Sequence, residues 1–361
     1  MSRHDERLDK LRHAVRQEGC LDAFLVSEVA NVTYLTGFSG DSAYLMISQD
    51  HTWLITDGRY TEQAAAEAPQ CDVVLHKTSL AKCSAEVARS AQVKTLGFEP
   101  GAMTFATYTE LTEALDGVQA VAKKGLAEKL RQVKDEEEIA RIRKAVALAD
   151  AAFRTLRTRL VPGQSEAQVA TELEYEMRRL GARKCAFESI VAARERSSLP
   201  HAHATEAVIG PGDAVLIDWG AELDQYCSDC TRVVFLTPPD ARWRGIYEIV
   251  REAQALAVAA VRAGVSGRDV DATARKHIEQ AGYGDAFKHG LGHGVGLRVH
   301  EGPNLSWRSE DTLAAGMVVT IEPGIYLPGW GGVRIEDVVV VRQDGPEVLS
   351  SLPKELEAAI L

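Results

Sequence analysis

In Val215-Leu216-Ile217-Asp218-Trp219-Gly220 an apolar run suited to a buried strand ends in an aspartate, and a second apolar strand, Thr231 to Leu236, opens just after Asp229. An unpaired carboxylate is costly to bury, so both need a reason to be there. The midpoint between Asp218 and Asp229 falls at Leu223-Asp224, and a hairpin centred there sets the two aspartates on facing strands. The arrangement recurs downstream. Glu322 closes Val318-Val319-Thr320-Ile321-Glu322, Glu336 closes Val333-Arg334-Ile335-Glu336 before Val338 to Val341, and their midpoint is Gly329 in the turn-like Pro328-Gly329-Trp330-Gly331-Gly332. Four carboxylates that converge cannot all stay ionised without cations, because like charges at close range raise one another's pKa. Two divalent ions would balance them. Any one of these residues taken alone reads more simply as a surface or salt-bridged carboxylate, but four in two matching hairpins favour a metal site.

Between the hairpins, Phe287-Lys288-His289-Gly290-Leu291-Gly292-His293-Gly294-Val295-Gly296-Leu297-Arg298-Val299-His300-Glu301 interleaves three histidines with glycines. Glycine lets backbone approach a site closely and leaves imidazoles projecting into it. Upstream of each hairpin stands a helix pair. Ile139, Ile142, Val146, Ala149, Phe153, Leu156 and Leu160 recur at helical spacing until Pro162-Gly163, and the acidic run Asp135-Glu136-Glu137-Glu138 suits the first turn. A second helix starts at Ser165, with Gln168 completing a capping box, and ends at Gly181. Trp243 to Arg262 and Arg268 to Gln280 repeat the pair, so this half of the chain reads as internally duplicated.

The first 125 residues alternate differently. Leu8, Leu11 and Val15 mark a helix, Ala23 to Val26 a strand, and Tyr44 to Ile47 with Trp53 to Ile55 a hairpin about Ser48-Gln49-Asp50. A helix near Tyr60 to Glu67, the strand Val73 to Leu75, a helix near Leu80 to Arg89 and the strand Thr95 to Phe98 follow. The fold class is therefore α/β (α+β) in two domains, residues 1–125 and 126–361, with the boundary in the charged stretch after Lys123-Lys124-Gly125.

The chain has 361 residues with 41 Lys+Arg against 52 Asp+Glu, a net charge of −11. That balance disfavours nucleic-acid and anionic-membrane partners, which need a basic face. The charged N-terminus lacks the apolar segment of a signal peptide, and no long apolar run occurs, so a cytoplasmic protein is expected. The six cysteines are scattered; Cys227-Ser228-Asp229-Cys230 is a lone CxxC without a second pair, which makes a zinc-finger or redox reading weak.

Together Ile217-Asp218-Trp219-Gly220, Tyr226-Cys227-Ser228-Asp229-Cys230-Thr231-Arg232, His289 to Leu297, Ile321-Glu322-Pro323-Gly324-Ile325-Tyr326 and Gly332-Val333-Arg334-Ile335-Glu336-Asp337 resemble the pita-bread peptidase family of methionine aminopeptidase, aminopeptidase P, prolidase and creatinase. The likeness extends to Leu130-Arg131-Gln132-Val133-Lys134-Asp135-Glu136-Glu137-Glu138-Ile139 and, in the N-terminal part, to Tyr34-Leu35-Thr36-Gly37-Phe38-Ser39-Gly40 and Thr56-Asp57-Gly58-Arg59-Tyr60. It implies a creatinase-like N-terminal domain, a pita-bread catalytic domain with internal pseudo-symmetry, and Asp218, Asp229, His293, Glu322 and Glu336 as ligands of two divalent metals, with Asp229 and Glu336 bridging. Manganese is expected first in this oxygen-rich donor set, and zinc or cobalt fit the same ligands. The resemblance also implies that Glu322 moves a proton, that His201 and His300 stand beside the metals, and that His289 is a non-ligating member of the site. Arg334 either holds the carboxylate network or contacts substrate, with an ion pair to Glu336 or Asp337 as the plainer alternative; Tyr326 either lines the site or is a strand aromatic. His203 departs from the family pattern and reads as a surface residue, and Asp41 stands where relatives carry a small residue. An N-terminal domain argues against methionine aminopeptidase, and the complete ligand set argues against creatinase and against a metal-free binding module. The expectation is an Xaa-Pro aminopeptidase cleaving before proline in peptides, with an Xaa-Pro dipeptidase (prolidase) as the alternative. The family further implies a homodimer.

Overall fold

The computed structural model describes residues 2–361, and the chain divides into two compact units, one ending at Arg131 and one spanning Gln132–Leu361. The first unit opens with the helix Arg3–Gln17, started by a Ser2/Asp5 capping box, which buries Leu8, Leu11 and Val15. Its sheet has six strands, β1 (Ala23–Val26), β2 (Ala43–Ser48), β3 (Thr52–Thr56), β4 (Asp72–Leu75), β5 (Thr95–Phe98) and β6 (Gln119–Ala122), in the order β4-β3-β2-β1-β5-β6. β2 and β3 form the hairpin expected about Ser48-Gln49-Asp50, pairing Ala43 with Thr56 and Ile47 with Thr52. Leu25, Met46, Ile55 and Leu96 meet Ala85, Ala88 and Leu111 of the flanking helices in one apolar core.

Several elements here carry too little local signal to be read from sequence. The helix Val29–Thr36 is rich in β-branched residues and has no side-chain hydrogen bond at its N-cap; it closes on Gly37 at φ 84°. The helices Phe105–Leu115 and Leu126–Gln132 and the strand β6 are likewise additions to the sequence reading.

In the second unit a pair of helices precedes a sheet, twice. Glu136–Arg157 begins with a capping box between Asp135 and Glu138 and buries Ile139, Ile142, Val146, Ala149, Phe153 and Leu156. Glu166–Arg179 begins with the expected Ser165/Gln168 box. The strands Ile190–Ala193, Ala214–Trp219 and Cys230–Phe235 follow, with Ala214–Trp219 in the middle. The second pair, Ala241–Ala260 and Gly267–Gln280, precedes a five-stranded sheet of Gly292–Gly294, Glu301–Leu305, Val318–Ile321, Asp337–Val341 and Pro346–Val348. Trp219 anchors the first half. It is fully buried, stacks on Phe153 with centroids 4.3 Å apart and donates Nε1–H to the Ala149 carbonyl at 3.0 Å. Such a stack adds about 1 kcal/mol beyond the area it buries.

The two hairpins differ in register. The first turns at Asp224 and Gln225, both left-handed with φ 48° and 71°, one position beyond the Leu223-Asp224 midpoint. Asp218 therefore faces Thr231 rather than Asp229. Asp229 lies just ahead of the strand Cys230–Phe235, and alternation returns it to the face of Thr231, diagonal to Asp218. In the second hairpin the expected register holds. Ile321 pairs with Asp337 and Gly324 with Arg334, which sets Glu322 across from Glu336 with Gly329 in the turn at φ 73°.

Candidate active site

The concave side of these strands encloses a cavity of about 990 Å³ that contains Asp218, Asp229, His293, Glu322 and Glu336 and is walled by Phe187, Ile190, His201, His289 and His300. Oxygens of Asp218, Asp229 and Glu336 come within 4.8 Å of one another, as do donor atoms of His293, Glu322 and Glu336, and of Asp229, His293 and His300. Gly292 and Gly294 make this possible. A Cβ on Gly292 would stand 2.0 Å from the Thr320 carbonyl, and one on Gly294 would stand 2.1 Å from that of Gly302. Only glycine lets this strand seat between its neighbours and deliver His293.

The electrostatics are lopsided. Burial pushes the Asp229 and Glu336 carboxyls well above the usual range, and neighbouring carboxylates push them further. Burial also raises Glu322, to about 8, against the pull of Arg334. The imidazoles move the other way: burial lowers His289 and His293 to about 4 and lowers His300 as well. At neutral pH the buried rings are thus neutral. His293 Nδ1 lies 3.1 Å from the Gly294 carbonyl, which can only accept, so Nδ1 carries the proton. Its Nε2 then points a lone pair at Asp229 Oδ2, 3.6 Å away, and Glu322 Oε1, 3.4 Å away. A neutral nitrogen and several buried carboxylate oxygens facing one another are mutually repulsive unless protons or cations stand among them. Asp218 Oδ1, buried with no hydrogen-bond partner, is a further open donor. The residues present fit divalent metal ions.

Arg334 is buried and does not pair with Glu336 or Asp337, the plainer alternatives for it. It donates to Asp218 Oδ2 at 2.6 Å, to Tyr326 Oη at 2.8 Å and, through Nε, to Thr231 Oγ1 at 2.9 Å. Thr231 in turn donates to Glu336 Oε2 at 2.7 Å. Tyr326 is fixed from both sides. His289 Nδ1 donates to the Gly290 carbonyl at 2.7 Å, which leaves Nε2 to accept the Tyr326 hydroxyl proton at 2.9 Å. Tyr326 and His289 therefore belong to one hydrogen-bonded chain that ends on Asp218. His201 and His300 stand at the cavity wall, His300 with its ring 4.2 Å from that of His293. His203 is exposed at the rim, 3.4 Å from Glu188. Asp41, in the first unit, accepts the Tyr60 hydroxyl at 2.5 Å.

Sequence reasoning missed two threonines. Thr231 ties Arg334 to Glu336, and Thr320 Oγ1 donates to Glu322 Oε1 at 3.2 Å while accepting the His293 amide at 3.1 Å. Each stands two residues from a carboxylate on the same strand face, so alternation was the available signal. All six cysteines are free, and Cys227 and Cys230 are both buried. No helix among the described residues is long and apolar enough to cross a membrane.

A carboxylate and imidazole cage at the base of a cavity is the site of a metal-dependent hydrolase. The chain belongs to metallopeptidase family M24, whose model matches residues 140–343, and residues 7–133 match the creatinase/prolidase N-terminal domain. Family and fold are those the sequence motifs imply. The chain is 38% identical over 352 residues to the Xaa-Pro dipeptidase of Pyrococcus furiosus, across 97% of this chain and 99% of that one. The solved structure of the Xaa-Pro dipeptidase from Bacillus anthracis matches with a TM-score of 0.96 at 41% identity, covering 99% of this chain and 100% of that one. That of the X-Pro aminopeptidase from Thermotoga maritima matches with a TM-score of 0.88 at 37% identity, covering 97% and 100%.

Proposed function

We propose that the protein is an Xaa-Pro dipeptidase, hydrolysing the bond between an N-terminal residue and a C-terminal proline. The observation that carries a metal-dependent peptidase is the convergence of Asp218, Asp229, His293, Glu322 and Glu336 with an open oxygen on Asp218. Restriction to dipeptides rests on the relatives, whose names favour dipeptidases over the aminopeptidase that the sequence motifs first suggest. The aminopeptidase reading stays second, on the likeness to the Thermotoga maritima enzyme.

In this reading Asp218, Asp229, His293, Glu322 and Glu336 would hold two divalent ions, with manganese the first candidate. When bound, such ions lower the pKa of water and polarise the scissile carbonyl. The chain's own groups do the rest. Glu322, whose Oε1 is engaged by Thr320, has a second oxygen with which to take the water proton and hand it to the leaving proline nitrogen. His201 and His300, on the cavity wall, hydrogen-bond the peptide and hold it against the attacking water. Arg334 keeps Asp218 in place.

The test is hydrolysis of Ala-Pro, Ala-Pro-Ala and a longer Ala-Pro peptide by metal-stripped protein with and without added Mn²⁺. Metal-dependent cleavage confined to Ala-Pro is expected. Equal cleavage of the longer peptides overturns the dipeptidase in favour of the aminopeptidase, and no cleavage with any divalent metal overturns both.

A further inference from the structure

One ion pair outside the carboxylate cage, its aspartate buried and its arginine half-buried, grips the cavity wall. On the helix Gly267–Gln280, Asp271 and Arg275 stand one turn apart and pair bidentately, Nε to Oδ2 and Nη2 to Oδ1, both at 2.8 Å. Surface pairs at this spacing contribute little, but here Asp271 is buried and every nitrogen of the Arg275 guanidinium has a partner. Arg275 Nη1 donates to the Phe287 carbonyl and Nη2 to the His289 carbonyl, each at 2.9 Å. Asp271 Oδ1 accepts the Leu291 amide at 3.1 Å. The guanidinium carbon sits 4.2 Å from the Phe287 ring centroid and 4.6 Å from that of Trp307. A single side-chain pair thus holds the main chain on both sides of His289 and touches the Ser306–Ser309 loop, whose Ser306, Arg308 and Ser309 also line the cavity.

We propose that Arg275, oriented by Asp271, is a positioning residue that fixes His289 and through it the Tyr326–Arg334–Asp218 chain. The inference rests on the peptidase reading above. The His289 ring is held by two hydrogen bonds among the described residues, Nδ1 to the Gly290 carbonyl and Nε2 to the Tyr326 hydroxyl, and the first of these places its direction under the backbone that Arg275 holds. With the pair intact, His289 Nε2 accepts from Tyr326, the Tyr326 oxygen accepts from Arg334, and Arg334 reaches Asp218. A guanidinium is needed because the task calls for a planar fork serving one carboxylate and two carbonyls while stacked between rings; an ammonium offers neither the plane nor the span.

The test is a double-mutant cycle with Arg275→Met, Tyr326→Phe and the combination, beside Arg275→Lys, using Ala-Pro with Mn²⁺-loaded enzyme and following kcat, KM and melting temperature. Arg275→Met is expected to lower kcat on the order of 100-fold, the loss typical of a small misplacement at a reacting centre, with KM changed less than about threefold and Arg275→Lys restoring only part. In the Tyr326→Phe background the same substitution should cost less than about threefold, because the two act in series. A lowered melting temperature with unchanged kcat, or equal losses in both backgrounds, would overturn the proposal. Should the wild type hydrolyse no Xaa-Pro peptide, the peptidase reading fails separately, and the imidazole ¹⁵N signals of His289 in metal-free protein decide this one. Displacement by both single substitutions supports the coupling, and an unmoved signal in Arg275→Met overturns it.

Discussion

Glu336 and Asp337 are neighbours in sequence, both almost wholly buried, and their carboxyls are driven in opposite directions. Glu336 faces the cavity. Burial and the charges of Glu322 and Asp218 push it up, with only Arg334 and the Thr231 hydroxyl opposing. Asp337 faces the other side of the strand, where burial is outweighed by cations and it is held below the usual carboxylate range. Arg232 donates to its Oδ1 at 2.8 Å and Gln254 to its Oδ2 at 2.8 Å, and Lys354 pairs with Oδ2. Arg232 also donates to the carbonyls of Thr231 and Leu352, each at 2.9 Å, which ties the strand bearing Asp337 to the C-terminal segment. The lesson is about supply. A buried carboxylate given protein cations is part of the framework; one given too few is a place for cations from outside.

The sharpest way to break this contrast is on the cavity side. Asp229→Asn removes one negative charge from the cage, and activity is expected to fall by more than about 100-fold, beyond what loss of an outer partner costs. Circular dichroism should show the fold intact, and undiminished hydrolysis would end the two-metal account. On the framework side, Asp337→Asn strands Arg232 and should cost about 3–5 kcal/mol of stability, as breaking a buried pair does. Chemical denaturation measures it; a loss under about 1 kcal/mol would mean that Arg232 is satisfied by carbonyls alone.

Between the two lies Thr231. Thr231→Val keeps shape but cuts the link from Arg334 to Glu336, and metal affinity should weaken about 10–100-fold, with stability falling by roughly 1 kcal/mol. Unchanged affinity would show that Glu336 needs no orientation from the protein.

The smallest effect concerns Glu99 in the first unit. Its carboxylate accepts the amides of Ser27 and Glu28 at 2.7 and 2.8 Å and the Asn31 side chain at 2.6 Å, yet no cation contacts it among the described residues. Burial raises it to about 7 despite those donors. A raised carboxyl binds its proton more tightly folded than unfolded, so its contribution is fully present below about pH 4.5 and fades as pH rises through about 7. Carboxyl ¹³C NMR should find Glu99 titrating near 7; a midpoint below 5 would show that three neutral donors alone suffice to hold a buried anion.

Much of this was legible in the sequence because the elements announce themselves locally. Asp135 with Glu138 and Ser165 with Gln168 mark helix starts, and the glycine-centred turn at Gly329 fixes a register that brings Glu322 to Glu336. The first hairpin was misjudged by one position because Asp224 and Gln225 both adopt left-handed backbone, which neither residue type demands. The opposite fates of Glu336 and Asp337 were not readable at all. The cations that neutralise Asp337, Arg232 and Lys354, come from another strand and from the C-terminal segment, and only the folded chain shows that they turn to Asp337 and not to Glu336. The same holds for Arg275, whose partners Asp271, Phe287 and His289 meet only once a helix packs against the glycine-rich run.

The measurement that bears most directly on the account is calorimetric titration of metal-stripped protein with Mn²⁺, comparing wild type with Glu336→Gln and Asp337→Asn. Two ions per chain are expected for the wild type and for Asp337→Asn, with binding impaired in Glu336→Gln. Equal binding by Glu336→Gln and wild type, or no binding of any divalent metal by the wild type, would contradict it.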